Sequence, residues 1–192
     1  MPDLRAPGSK AAVLVPIKAF GLAKTRLAPA LPAPEREALA RSMAGTVLAA
    51  AGSLPLAVAC EDDDVAEWAR ARGALVVWAP GRGLNGAVED GVAMLADRGA
   101  DQVVVAHADI PGARHLDRIP GYAGITLVPD RREDGTNVAC VPARAGFRFS
   151  YGPGSFGRHR AEAYRLGLSV RLLREPALAW DVDRPCDLQP AR

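Results

Sequence analysis

Three aspartates are candidate metal ligands because of where they fall relative to apolar segments. Asp109 follows the apolar run 102–106, in the motif His107-Ala108-Asp109-Ile110-Pro111. A carboxylate at the end of a buried strand is costly unless it is paired or bound to a metal. Asp181 and Asp183 flank a valine and would share one face of an extended segment. The three carboxylates together predict a site for one or two Mg²⁺ ions.

Less specific interpretations exist for the same residues. Asp109 could cap a turn before Pro111, and Asp181 and Asp183 could lie on a solvated edge strand. His107 fits a packed histidine near the end of the sheet better than it fits a metal ligand.

Positive charge is concentrated in residues 18–26, directly after the first predicted strand. This segment contains Lys18, Lys24 and Arg26, although the whole chain has only three lysines. Ligands of open α/β sheets bind at the carboxyl ends of strands, and loop N–H groups with such cations suit a polyphosphate. The pattern GxxxxGK[ST] is absent, which excludes a Walker A loop. The alternative is an ordinary solvated basic loop.

Residues 81–86 read Gly-Arg-Gly-Leu-Asn-Gly and match GxGxxG. Three interpretations are open: the pyrophosphate loop of a dinucleotide fold, a loop that holds a base or ribose, and a plain turn before a helix. The segment follows the third predicted strand rather than the first, and these residues alone favour the plain turn. The amide of Asn85 could still pair with a base edge, since it both donates and accepts.

A second glycine-rich segment, residues 151–157, leads into a predicted helix that begins near Ser155. Free N–H groups at a helix start attract anions, and Arg158 and His159 would add positive charge in the first turn. With Thr136 from a neighbouring loop, this cluster predicts a site for the phosphate or carboxylate of a small acid. The alternative for Ser155 is an ordinary N-cap.

Composition excludes several classes of protein. The 192 residues are 49% hydrophobic and 24% charged, which suits one folded domain. A net charge of +2 gives no support for nucleic-acid binding, and the three scattered cysteines favour a reducing, cytoplasmic location. No apolar stretch approaches the ~20 residues of a membrane span. Neither G-x-S-x-G nor a zinc spacing is present.

The elements that would position these residues alternate along the first ~110 residues. Apolar runs at 11–17, 54–60, 74–79 and 102–106 predict strands, and 35–51, 62–72 and the segment from about 84 to 98 predict helices. The second half predicts strands at 125–128, 138–142, 170–173 and 179–182 and a helix at 155–166. We therefore predict a disordered lead-in, residues 1–10, and one α/β domain, residues 11–192, with a mixed, mainly parallel sheet.

Taken in order, the motifs VPIKAFGLAKTRLAP, GLNGAVEDG, ADIP, DGTNVACVP, GPGSFGRH and DVDRPCDL resemble one family. The chain is similar to the 2-phospho-L-lactate and phosphoenolpyruvate guanylyltransferases of coenzyme F-420 biosynthesis, from about residue 13 to residue 188. The resemblance implies a GT-A-like, Rossmann-like nucleotidyltransferase fold, with Mg²⁺ as cofactor and GTP as a substrate.

The resemblance also implies roles for individual residues. Lys18, Lys24 and Arg26 would hold the GTP phosphates, and Gly83, Leu84 and Asn85 would contact guanosine. Asp109 and Asp181, with Asp183 as a further candidate, would bind the metal. The phosphorylated acid would lie against Thr136, Gly152 and Ser155, beside the candidates Arg158 and His159.

The implied reaction transfers GMP from GTP to phosphoenolpyruvate and releases pyrophosphate. A composition typical of a GC-rich bacterial genome favours phosphoenolpyruvate over 2-phospho-L-lactate and 3-phosphoglycerate. Two other classes stay open: an NAD(P)-dependent oxidoreductase that uses residues 81–86, and a non-catalytic nucleotide-binding domain. The expected partners are small molecules and not nucleic acid or a membrane; product hand-off to the next enzyme is a hypothesis, and the oligomeric state is left open.

Overall fold

The computed structural model describes residues 11–188, in which seven strands form one mixed sheet. The strands are β1 (Ala11–Pro16), β2 (Leu56–Cys60), β3 (Leu75–Trp78), β4 (Gln102–Ala106), β5 (Ile125–Pro129), β6 (Thr136–Pro142) and β7 (Val170–Leu172). The helices are α1 (Ala33–Ala49), α2 (Asp63–Arg70), α3 (Gly83–Asp97), α4 (Ser155–Arg165) and the short α5 (Pro176–Ala179).

The strand order is β3-β2-β1-β4-β6-β5-β7. The first four strands of this order are parallel, β6 is antiparallel to both of its neighbours, and β7 is parallel to β5. The predicted mixed, mainly parallel sheet is therefore confirmed. Because β1, β2 and β4 run in the same direction, the loops that follow them meet at one edge of the sheet.

Helices cover both faces of the sheet, because side chains alternate between its faces along each strand. In β1, Val13 and Val15 pack into the cluster with α1 and α2, whereas Ala12 and Leu14 pack into the cluster with α3 and α4. The inner strands have apolar side chains on both faces, as a sheet covered on both sides requires.

Helix α3 lies unusually close to β1. A Cβ placed on Gly91 would lie 2.6 Å from the Cδ2 of Leu14, so only glycine lets the helix approach to this distance. The helix begins just after the carboxyl end of β3, and its first turn therefore lies at the same edge as the loops after β1 and β4.

The prediction of a strand at residues 179–182 is wrong. Pro176 begins the short helix α5, and Leu178 inserts its side chain into the core. The backbone that follows makes isolated hydrogen bonds rather than a ladder: the Val182 N–H donates to the Asp109 carbonyl at 3.1 Å. Proline has a fixed φ and no N–H, which favours a helix start over a strand at this position.

The other predicted strands and helices are present with boundaries shifted by a few residues. The predicted lead-in, residues 1–10, lies outside the described residues, as do residues 189–192. Within residues 11–188, none of the helices has the length and apolar character that crossing a membrane requires.

Candidate active site

A cleft of about 600 Å³ opens where β1, β2 and β4 end. The loop after β1 forms one wall and the first turn of α3 forms the other. Seven of the predicted site residues line this cleft: Lys18, Lys24, Arg26, Gly83, Leu84, Asp109 and Asp183. The topology thus brings together residues that are as far as 165 positions apart in the chain.

Lys24 lies between two of the predicted metal-binding carboxylates. Its Nζ donates to Asp109 Oδ2 at 2.6 Å and to Asp183 Oδ1 at 2.9 Å. Burial alone would lower the pKa of Lys24, but the two carboxylate charges outweigh that effect and hold the pKa above its usual 10.5. Burial would likewise raise the pKa of Asp109, yet the Lys24 charge holds that pKa below 3.8. Both side chains are therefore charged at neutral pH.

The other two cations of the loop are more open to solvent. Arg26 donates to Asp183 Oδ2 at 3.3 Å, while 69% of its side chain stays exposed. Lys18 is exposed on the cleft wall. Exposed ammonium and guanidinium groups on one wall suit an anion that enters from solvent.

Two carboxylate oxygens in this region are buried with no hydrogen-bond partner among residues 11–188: Oδ1 of Asp109 and Oδ1 of Asp181. Burial and the neighbouring Asp109 charge raise the pKa of Asp181. Unpaired, buried carboxylate oxygens that repel each other are the donor set that a divalent cation satisfies. Asp109 and Asp181 therefore fit Mg²⁺, whereas Asp183 is already paired with Lys24 and Arg26.

The described residues contain no cluster of three or more histidine, cysteine or acidic side chains arranged to hold a metal ion. This agrees with the position of Lys24, whose ammonium lies between Asp109 and Asp183. A two-carboxylate site is typical of Mg²⁺ that completes its coordination with substrate phosphates and water.

Asp187 holds the segment that carries Asp181 and Asp183. Its side chain has no exposed surface, accepts from the N–H groups of Asp183 (2.9 Å) and Arg184 (2.7 Å), and pairs with Arg131. Burial alone would raise the pKa of Asp187, but these donors hold it well below 3.8. Sequence reasoning gave Asp187 no role, although it is the third acid of the motif DVDRPCDL.

The predicted guanosine contacts fall in two places. Gly83 and Leu84 open α3 on the cleft wall, and Leu84 is 44% exposed there. Asn85 has a different contact: its Oδ1 accepts from the Tyr151 N–H at 2.7 Å. The segment 81–86 follows β3, an edge strand of the sheet, which does not match the dinucleotide loop after the first strand.

The predicted acid-binding residues form a second cluster behind the cleft. The Oγ of Ser155 accepts from the Thr136 N–H at 3.1 Å, and the Thr136 hydroxyl lies 3.0 Å from His159 Nδ1. The glycine before Ser155, rather than Ser155 itself, is the N-cap of α4. The structure thus ties α4 to the start of β6, which Ser155 as a plain cap would not do.

The prediction that His159 adds positive charge to the first turn of α4 is wrong. This imidazole is fully buried, and its Nε2 accepts from the Ser150 N–H at 3.0 Å. Burial lowers the pKa of His159 to about 4, so the ring is neutral at pH 7. The Arg158 guanidinium donates to the Ser150 and Pro153 carbonyls, which orders the glycine-rich loop.

His107 and Tyr151 connect the cleft to this second cluster. His107 lines the cleft, and its ring lies 4.7 Å from that of Tyr151, which in turn lies 4.8 Å from His159. The packed environment expected for His107 is observed. Sequence reasoning missed Tyr151; the alternation of aromatic residues at Phe147, Phe149 and Tyr151 was the available signal.

Comparison with known proteins agrees with this geometry. A family profile described as "Guanylyl transferase CofC like" matches residues 11–190. A phosphoenolpyruvate guanylyltransferase from Sphaerobacter thermophilus is 36% identical over 185 residues, which cover 92% of this chain and 89% of the relative. A 2-phospho-L-lactate guanylyltransferase from Methanothermobacter thermautotrophicus is 32% identical over 93% of this chain and 82% of its own.

Among solved structures, a nucleotide-diphospho-sugar transferase from Desulfovibrio desulfuricans superposes with a TM-score of 0.75. The match covers 94% of this chain and 85% of that one, at 20% identity. At this identity the likeness concerns the fold alone, and it agrees with the predicted α/β fold.

Proposed function

The chain belongs to the CofC-like family of guanylyl transferases, and from this membership we propose that it transfers GMP from GTP to phosphoenolpyruvate. Pyrophosphate is the second product, and the reaction belongs to coenzyme F-420 biosynthesis. The observation that carries the proposal is the cleft itself, where the unpaired, buried Oδ1 of Asp109 lies beside three cationic side chains at the carboxyl ends of parallel strands.

In this proposal GTP occupies the cleft. The base lies against Gly83 and Leu84 at the start of α3, and the triphosphate lies along the loop after β1. Lys18, Lys24 and Arg26 supply the positive charge for the phosphates. Asn85 acts indirectly on the guanosine site: it accepts a hydrogen bond from the Tyr151 backbone, and this contact holds the first turn of α3 in place.

Mg²⁺ would be held by Asp109 and Asp181, whose Oδ1 atoms are the unpaired oxygens. When bound, it would neutralise charge on the nucleotide phosphates and lower the barrier to displacement. Asp183 contributes through Lys24 and Arg26, which it holds on the cleft wall.

The phosphorylated acid would bind beside Thr136, Gly152 and Ser155. His159 and Arg158 act as positioning residues, since the first fixes the Thr136 hydroxyl and the second fixes the glycine-rich loop. An oxygen of the acceptor phosphate forms a bond to the α-phosphorus of GTP, and the bond from that phosphorus to the bridging oxygen of pyrophosphate breaks. The acceptor phosphate is already anionic near pH 7, so no general base is required.

The test is pyrophosphate release by the purified protein with GTP and Mg²⁺, run in parallel with three acids: phosphoenolpyruvate, 2-phospho-L-lactate and 3-phosphoglycerate. We expect release with phosphoenolpyruvate, and loss of release when ATP replaces GTP. Preference for 2-phospho-L-lactate would keep the reaction class and change the acceptor. Absence of release with every acid, from folded protein that binds GTP, would favour a non-catalytic nucleotide-binding domain.

A further inference from the structure

One ammonium group separates the carboxylates of the candidate site. Lys24 Nζ contacts Asp109 Oδ2 at 2.6 Å and Asp183 Oδ1 at 2.9 Å, and only 10% of the lysine side chain is exposed. Asp183 is held on its other oxygen by Arg26. In this arrangement the lysine supplies positive charge to both carboxylates.

The same lysine belongs to the wall that faces the cleft, on the loop after β1. Its backbone has φ of +54°, an uncommon conformation for a residue with a side chain, between two short 3-10 turns. The Lys24 ammonium ends a flexible four-carbon stem. A change of side-chain rotamer can therefore move the charge without rebuilding the loop.

A metal ion on Asp109 and an ammonium on the same carboxylate repel each other, because both are cations within a few ångströms. A triphosphate removes this conflict: it gives the ammonium new anionic partners and brings the metal as a counter-ion. The metal and the nucleotide would then each strengthen the binding of the other, as any reciprocal coupling between two sites requires.

We propose that Lys24 takes the place of the metal in the nucleotide-free protein and moves to the triphosphate when GTP and Mg²⁺ bind together. Free Mg²⁺ is thereby kept out of the site until GTP binds. This inference rests on the proposed function, since it assumes that a nucleoside triphosphate occupies the cleft.

The first test follows the Lys24 ammonium directly by NMR. Lysine labelled with ¹⁵N at Nζ adds few signals, because the chain has three lysines, and a Lys24→Arg variant identifies the Lys24 signal by its loss. We expect Mg²⁺ alone to leave the Lys24 signal in place and Mg²⁺ with GTP to shift it. A signal that moves with Mg²⁺ alone, or stays in place when GTP is bound, overturns the proposal.

The second test measures metal binding without any nucleotide. Electron paramagnetic resonance of Mn²⁺ reports the free ion, and we expect Lys24→Met to bind Mn²⁺ at least about ten-fold more tightly than the unmodified protein. Arg165→Met is the control for loss of a positive charge, because Arg165 pairs with Glu162, does not line the cleft and should leave Mn²⁺ affinity unchanged. Equal affinity of the Lys24→Met and unmodified proteins for Mn²⁺ would overturn the proposal.

The two tests also separate this inference from the proposed function. Circular dichroism checks that Lys24→Met is folded, and Lys24→Gln is the second variant if it is not. The Mn²⁺ measurement needs neither GTP nor a phosphorylated acid. Failure of pyrophosphate release together with tighter Mn²⁺ binding by the variant would refute the reaction and leave the role of Lys24 intact.

Discussion

The two oxygens of Asp109 have different surroundings, although they belong to one carboxylate. Oδ2 accepts from Lys24, while Oδ1 is buried with no partner in the part of the chain that the structure describes. The pKa of Asp109 lies below its ordinary value, so the group is ionised at any pH at which the enzyme would work. An ionised oxygen buried without a partner is unfavourable for stability, and a ligand that fills this position would remove that cost.

Asp109→Asn should abolish guanylyl transfer. The amide keeps the shape of the side chain but loses the charge, so we expect pyrophosphate release to fall by at least about 100-fold. Steady-state rates with saturating Mg²⁺ measure the effect. Asp97→Asn is the control, since that side chain is 80% exposed at the far end of α3. A rate for Asp109→Asn within a few-fold of the unmodified rate would refute the metal role.

The buried His159 makes stability depend on pH. Its pKa is about 4 in the folded protein, against 6.5 ordinarily, so the unfolded chain binds more protons between these values. The stability that neutral His159 provides is therefore present above pH 6.5 and is lost as the pH falls towards 4. From the size of this shift, the loss is about 3 kcal/mol.

Urea unfolding of His159→Gln at several pH values tests this prediction. The variant should be less stable than the unmodified protein at pH 7, and the difference should shrink as the pH approaches 4. His115→Gln, which replaces an exposed imidazole, is the matched control. A stability difference that stays constant from pH 7 to pH 4 would contradict a lowered pKa of His159.

Among the helices, α3 depends most closely on a single small residue. Gly91 allows it to pack on β1, and this contact sets where the first turn of α3 meets the cleft. Gly91→Ala should lower the free energy of unfolding by about 1–2 kcal/mol, because overpacking against Leu14 exceeds the gain in helix propensity. Chemical denaturation of the purified variant measures the change.

Gly45→Ala is the matched control for the same substitution in a helix. A Cβ on Gly45 would meet nothing within 4 Å, so the change should stabilise α1 by up to about 1 kcal/mol. If both variants shift stability in the same direction by the same amount, close packing of α3 on β1 is not what requires glycine.

At the scale of the molecule, the cleft lies at the carboxyl end of the parallel part of the sheet. The loops after β1 and β4 form it, and the segment that follows α5 closes it through Asp183. A nucleotide bound there would contact segments from both ends of the chain. Binding to the folded state alone would stabilise all of them together.

GTP with Mg²⁺ should therefore raise the melting temperature. At a GTP concentration 100 times its Kd the gain is about 2.7 kcal/mol, or roughly 5–10 °C for a protein of this size. Differential scanning fluorimetry with GTP, ATP and each nucleotide without Mg²⁺ measures it. We expect a smaller rise with ATP and with GTP alone; an equal rise with ATP would contradict selection of guanosine.

Much of the fold was predictable because the strands are short apolar runs separated by polar segments. The first four strands and three helices follow from such patterns, and the order of motifs pointed to the family that the comparisons show. The segment 179–182 was mispredicted because Val182 between two aspartates imitates strand alternation. Its backbone bonds go to other elements, and no local pattern encodes such partners.

The identities of many site residues were predictable from the sequence, but the contacts between those residues were not. Residue type and position after a strand pointed to Asp109, Lys18, Lys24 and Arg26, because parallel strands end at a common edge. The second cluster was harder to predict, since a polar side chain beside a glycine-rich loop can contact either a ligand or the backbone of the loop. In the structure Arg158 donates to a carbonyl of the loop, and His159 contacts the Thr136 hydroxyl.

The sequence by itself determined which groups are present and which elements carry them, because apolar periodicity and strand-end motifs are local properties. Only the tertiary structure decided how those groups pair. It placed Lys24 between Asp109 and Asp183, gave Asp187 the task of holding the segment 181–188, and buried His159 in its neutral form. Charge state and pairing depend on distance and burial, and both are set when distant segments pack against one another.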